Sequence, residues 1–196
     1  MKFRTMFIAF SALALSACGL NSIPTAEENA KAKWADVQAA YQRRANLIPN
    51  LQATVAGAAA SEKAILTDVV NARAKATSIQ VSADDLSDPA KVQQFQAAQS
   101  QLSGSLGRLL ANVEAYPDLK SQANFSTFMS QIEGTENRVN IAVQDYNDAV
   151  QAYNTRIRTF PDAVGAKVFY GAKPMTPFTA TAGAEVAPTV NFGNGS

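Results

Sequence analysis

The chain has 196 residues, 17 basic and 16 acidic side chains, and no histidine. Without an imidazole, a Ser-His-Asp triad, a Cys-His pair and every metal site with histidine ligands are excluded. A formal charge of +1, spread without long like-charge runs, excludes a nucleic-acid footprint, so no nucleic acid is expected as a partner.

In chain order, the first feature is an export signal. Lys2 and Arg4 precede an uncharged apolar run, Met6 to Ala17, which closes on Leu15-Ser16-Ala17-Cys18-Gly19. A basic start, a short apolar core and small residues before a cleavage point describe a secretory signal, here residues 1–17. A spanning helix needs about 20 apolar residues, and this run stops short of that at Asn21, Ser22 and Pro24. Cys18 is the single cysteine of the chain, in register with the small residues before it. Leu15-Ser16-Ala17-Cys18 resembles the bacterial lipobox, in which the thiol receives a diacylglyceryl group and the chain is cut before it. Lipidation of Cys18 is therefore expected, and two acyl chains hold a protein stably at a bilayer where one holds it marginally. Gly19 is not the aspartate that usually retains a lipoprotein in the inner membrane, which favours the periplasmic face of the outer membrane.

Residues 18–25 read as a tether. Thr25-Ala26-Glu27-Glu28 has capping-box spacing and predicts a helix start. Trp34, Val37, Tyr41, Ile48, Leu51, Val55, Leu66 and Val69 then carry a helical apolar pattern, interrupted by Pro49. If Pro49 only kinks the helix, residues 26–77 make one rod of about 78 Å, against about 42 Å for the next, 89–116. That mismatch favours a turn at Leu47-Ile48-Pro49 and four helices, with three as the alternative. Ser87-Asp88-Pro89 reads as a capped helix start. Asp84, Asp85 and Asp88 lie in a loop without the glycine and glutamate of a calcium site, and read as caps.

Val92, Phe95, Gln99, Leu102, Leu106, Leu109, Val113 and Tyr116 follow 3-4 spacing, with Gly104 and Gly107 expected where a neighbouring helix comes close. Tyr116-Pro117-Asp118 ends this helix. Phe125, Ile132, Val139, Tyr146, Tyr153 and Phe160 then recur every seven residues, with Phe128, Thr135, Ala142 and Ala149 three further on. Such a repeat predicts helices packed knobs-into-holes. From Gly171 the composition turns to Pro, Gly, Thr and Ala, which predicts a flexible tail, residues 171–196, with one apolar island, Val190-Asn191-Phe192.

With these elements placed, several runs resemble the LemA family: Arg43-Arg44-Ala45-Asn46-Leu47-Ile48-Pro49-Asn50-Leu51, Tyr116-Pro117-Asp118-Leu119-Lys120 and Thr135-Glu136-Asn137-Arg138. Tyr146-Asn147, Tyr153-Asn154 and Phe160-Pro161 complete the set. The resemblance covers about residues 26–170. It implies an all-α, antiparallel up-and-down bundle on an N-terminal membrane anchor, and no reaction. Asn46 stands where the family commonly has aspartate, and Ser61 where it often has histidine.

Arg43 and Arg44, with Glu133 and Glu136, suit an interhelical ion-pair network that fixes helix register better than a ligand pocket. Tyr41, Tyr146, Tyr153, Phe125 and Phe128 hold core positions, and Asn147 and Asn154 are expected to bond across helices or to solvent. No catalytic residue, metal or cofactor is expected. The function predicted is a membrane-anchored, non-catalytic envelope scaffold. It would have membrane lipid as a partner through Cys18 and an envelope protein as a second, docked by Val190 to Phe192. The alternative is a binding protein that holds a small molecule or cell-wall fragment between helices.

Overall fold

The computed structural model describes residues 21–55, 60–113 and 123–179. All regular structure among them is helical: α1 (Ser22–Val55), α2 (Ala60–Ser78), α3 (Pro89–Val113), α4 (Ala123–Arg156) and the short α5 (Asp162–Gly165). A 3-10 turn, Ala83–Ser87, precedes α3, and a π-helical turn, Ala166–Tyr170, extends α5. Cys18, Tyr116-Pro117-Asp118 and Val190-Asn191-Phe192 lie outside the described residues.

α1 begins at Ser22, before the expected capping box. Pro24 falls in the first turn, where a missing N–H leaves no helical bond unmade. Thr25 sits inside the helix, and its hydroxyl donates to the Asn21 carbonyl at 2.7 Å instead of capping. The expected start of α3 does form: the Asp88 carboxylate accepts from the Ala90 and Lys91 amides at 3.0 and 3.4 Å. Asp85 accepts from both the backbone amide and the hydroxyl of Ser82, at 3.0 and 2.6 Å.

The turn expected at Leu47-Ile48-Pro49 does not form, and α1 runs through Pro49 to Val55. The phase of buried residues is kept, with Ala45 and Ile48 continuing the stripe of Val37 and Ala40. The length comparison that favoured a turn set the first helix against its neighbour in sequence. In the structure α1 packs along α4, its equal at 34 residues, while α2 packs along α3. A long first helix therefore has a partner of its own length. The paired positions on α1 and α4 run in opposite order: Lys33 meets Asp145 at 2.8 Å and Arg44 meets Glu136 at 2.9 Å.

The core has two parts. One centres on Trp34, with Val37, Leu86, Val92, Phe95, Tyr146, Val150 and Tyr153. The other gathers Ile48, Val69, Ala72, Leu102, Leu106, Leu109, Phe128 and Ile132. The seven-residue pattern of α4 is thus buried from Phe128 to Tyr153. It ends there. α4 stops at Arg156, and Phe160 stands 85% exposed rather than in the core.

Gly104 and Gly107 also depart from expectation. Both are exposed, and a Cβ built on either meets nothing within 4 Å, so neither marks a close helix approach.

The tail expected to be flexible from Gly171 is docked as far as Thr179. Gly171 has φ 54°, a left-handed value that suits glycine, and closes the π turn. The chain beyond it lies extended against the bundle, with Met175 buried and Phe178 half-buried.

Candidate functional site

Two polar constellations stand out, and the first divides the core. Arg44 is 1% exposed and lies on α1 between buried Ala40 and Ile48. One terminal nitrogen, Nη1, donates to Ser103 Oγ at 2.6 Å and to Glu136 Oε1 at 2.9 Å. The other, Nη2, donates to the Gln99 carbonyl at 3.2 Å and to its side-chain oxygen at 2.9 Å. Gln99 in turn donates from Nε2 to the Ala76 carbonyl of α2 at 3.2 Å. One layer therefore joins α1, α2, α3 and α4 between the two apolar clusters.

The layer satisfies most of what burying a guanidinium demands. A buried charge is costly unless paired and hydrogen-bonded, and four of the contacts above go to Arg44. Arg44 Nε alone has no partner, and the guanidinium sits 4.9 Å from the Tyr41 ring centroid. Burial pushes the Tyr41 phenol up to about 12; the Arg44 charge opposes this and the Glu136 charge adds to it. Of the four charged residues expected here, Arg44 and Glu136 meet, while Arg43 and Glu133 are exposed.

The second constellation is a clamp on the main chain of residues 172–179, here called the strap. Asn154 donates to the Met175 carbonyl at 2.8 Å and accepts from the Met175 amide at 2.9 Å. Asn147 does the same for Phe178, at 3.0 and 2.8 Å. The Tyr153 and Tyr146 hydroxyls donate to the carbonyls of Lys173 and Thr176, at 3.1 and 2.9 Å. Two turns of α4 span seven residues, about 10.5 Å. Three extended residues span about 10 Å. A Tyr-Asn pair repeated every seven residues on a helix thus meets an extended chain every three, and the register follows from that match.

The clamp reads backbone, and packing adds to it. Phe178 inserts among Trp34, Tyr41, Phe95 and Tyr146, with ring centroids 5.8, 6.3, 6.3 and 5.9 Å away. The Thr176 amide donates to the Leu86 carbonyl at 2.8 Å, tying the strap to the turn before α3. Asn147 and Asn154, expected to bond across helices or to solvent, are the residues that the sequence reading placed least well. The signal was present in Tyr146-Asn147 and Tyr153-Asn154, since a dipeptide repeated at seven puts two identical pairs on one helical face.

A recess of about 160 Å³ opens beside the arginine layer, lined by Gln38, Tyr41, Gln42, Thr77, Gln80 and Gln99 among others. Small-molecule pockets usually measure about 300–1,000 Å³. Among the described residues, no group of three or more His, Cys, Asp or Glu side chains is placed to hold a metal ion.

Long helices packed around a buried polar layer define an all-α helical bundle. Residues 33–192 match the LemA family, and the chain belongs to that family. It is 27% identical over 157 residues to magnetosome protein MamQ 2 of Paramagnetospirillum magneticum, covering 72% of this chain and 58% of the relative. MamQ of Magnetospirillum gryphiswaldense is 26% identical over the same length and with the same coverage. Protein LemA of Metamycoplasma hominis is 27% identical over 124 residues, 63% of this chain and 52% of the relative. The chain thus spans little more than half the length of these relatives.

Proposed function

We propose that this protein is a lipid-anchored, non-catalytic scaffold of the bacterial envelope. In this reading Cys18 carries a diacylglyceryl group, and an antiparallel up-and-down bundle of four long helices stands at the periplasmic face of the outer membrane. The observation that carries the reading is the lone cysteine closing Leu15-Ser16-Ala17-Cys18 after an uncharged run, with the first described helix starting four residues later at Ser22. No described helix is long and apolar enough to cross a membrane, and the reading assigns the anchor to acyl chains on Cys18.

The interior supports a scaffold over an enzyme. Arg44, Glu136, Gln99, Asn147 and Asn154 engage one another or the main chain, which spends them on shape. The relatives named as magnetosome proteins support a part played within a larger assembly. The alternative, a ligand held between helices, has the recess beside Gln99 in its favour, but about 160 Å³ admits only a very small molecule.

Growth with radioactive fatty acid tests the anchor. The parent protein takes up label and sediments with membranes, and Cys18→Ser loses both. Unchanged labelling of Cys18→Ser overturns the reading. For the protein partner, deletion of residues 180–196 spares the docked strap, and in-cell crosslinking of the shortened chain loses the partner if Val190 to Phe192 docks it.

A further inference from the structure

One end of the bundle is apolar on its outside. Phe160 and Phe169 are 85% and 69% exposed, and Val164, Val168 and Tyr170 beside them are exposed as well. Val164 and Val168 are four residues apart on the helical stretch formed by α5 and the π turn, while Gly165 and Ala166 between them face inward and are buried. The stretch is therefore amphipathic with its apolar face outward, the reverse of a core helix. Five clustered large apolar side chains mark a surface that something covers.

The position of this face identifies what covers it. Ser22 Oγ donates to Asp162 Oδ2 at 2.7 Å, so the start of α1 is fixed to the start of α5. Cys18 precedes Ser22 by four residues, no more than about 14 Å of extended chain. The apolar face thus lies at the end of the bundle where the anchoring segment enters. The charges fit as well. Between Arg156 and Lys173 the chain has four basic residues, Arg156, Arg158, Lys167 and Lys173, and one acid, Asp162. Asp162 is engaged by Ser22 and by Arg156 at 3.6 Å. The nearby acids Glu27 and Glu28 share one cation, Lys31, at 2.8 and 3.3 Å, which leaves that turn of α1 at −1 against +3 (4 − 1) between Arg156 and Lys173. Aromatic and aliphatic side chains ringed by exposed cations suit the boundary between acyl chains and anionic headgroups.

We infer that Phe160, Val164, Val168, Phe169 and Tyr170 insert into the surface of the bilayer that holds the anchor, with Arg158, Lys167 and Lys173 on its anionic headgroups. The inference rests on the anchored reading above and adds which face meets lipid. Bilayer contact there stands the bundle upright, with α1 rising about 51 Å from the surface. A tether alone would leave the bundle free to lie in any orientation.

The test uses the full chain reconstituted into vesicles of phosphatidylethanolamine and phosphatidylglycerol whose acyl chains are brominated, which quench tryptophan at the depth of the hydrocarbon boundary. Phe169→Trp reports the apolar end. Ile141→Trp, also at an exposed site, reports a position about 22 Å farther along α4 from its end. Flotation of the vesicles reports anchoring separately. The result expected is several-fold stronger quenching in Phe169→Trp than in Ile141→Trp, reduced when Lys167→Glu is added. Flotation with equal quenching at the two positions overturns the inference and leaves the anchor standing. Equal quenching together with crosslinking of two copies through this face overturns it in favour of a dimer. A parent chain that does not float with the vesicles overturns both readings.

Discussion

Arg73 Nε donates to the carbonyl of Ala45 at 2.8 Å. That carbonyl is the one left without a helical donor by Pro49, four residues on, because proline has no N–H. A side chain of α2 thus completes a hydrogen bond of α1 and lets the helix pass through its proline. Arg73→Met is expected to cost about 1–3 kcal/mol, the range for orphaning a buried acceptor. In a Pro49→Ala background, where the amide returns, the same change is expected to cost well under half of that. Denaturant unfolding of the four chains in the cycle measures it, and equal costs in both backgrounds would show the bond to be incidental.

The two glycines of α3 give the opposite sign. Gly104 and Gly107 are exposed, with open space where a Cβ would go. Gly104→Ala and Gly107→Ala should each stabilise the fold by about 0.5–1 kcal/mol through helix propensity and a less open unfolded chain. Thermal unfolding reads this directly; a loss of stability would mean that the added Cβ meets the chain's own atoms.

The arginine layer should behave as a unit. Glu136 is a third exposed, so its pairing with Arg44 is partly screened, and Glu136→Ala is expected to cost about 2 kcal/mol rather than the 3–5 of a fully buried pair. Combined with Arg44→Met, the cost should fall short of the sum by about 1 kcal/mol or more. Strict additivity in urea titrations would remove the network from the account.

The two asparagines hold the strap by paired bonds at two main-chain positions. Asn154→Ala removes both bonds to Met175, and Asn147→Ala both bonds to Phe178. Each is expected to raise hydrogen exchange at the amide it held by about ten-fold or more, with about 1–3 kcal/mol lost overall. Exchange measured by NMR that stays at the parent rate at residues 175 and 178 would contradict the clamp.

Alkali should loosen the same region. Tyr41 is raised from 10.0 to about 12 by burial, and Tyr146 is raised for the same reason. Both are neutral in the fold and ionise more easily once it opens, so their stabilisation is fully present below pH 10 and is lost as pH rises toward 12 and beyond. At pH 11 Tyr41→Phe should recover about 1.4 kcal/mol of that loss. Stability measured at pH 8 and at pH 11 gives the comparison, and an equal fall in parent and variant would exclude Tyr41 as the cause.

Local pattern alone determined much of this protein. The all-helical class, the α3 stripe from Val92 to Leu109, the cap at Asp88 and the α4 heptads from Phe128 to Tyr153 all follow from spacing on one helix, because a helical residue's face is set by its own position. Tertiary structure decided what depends on elements far apart in the chain. Pro49 stays helical because Arg73 of another helix supplies a donor, and α1 can be long because α4 matches it. Gly104 and Gly107 face open space, and Phe160 falls outside because α4 has already ended. The strap is held in register through main-chain groups that every sequence shares, and its apolar Met175 and Phe178 sit among prolines and threonines without helical spacing, so the Tyr-Asn spacing on α4 was the clearer sign of it. Hydrophobic periodicity encodes which side is buried, whereas partners 20 to 60 residues away are fixed by packing, which no single stretch of chain records.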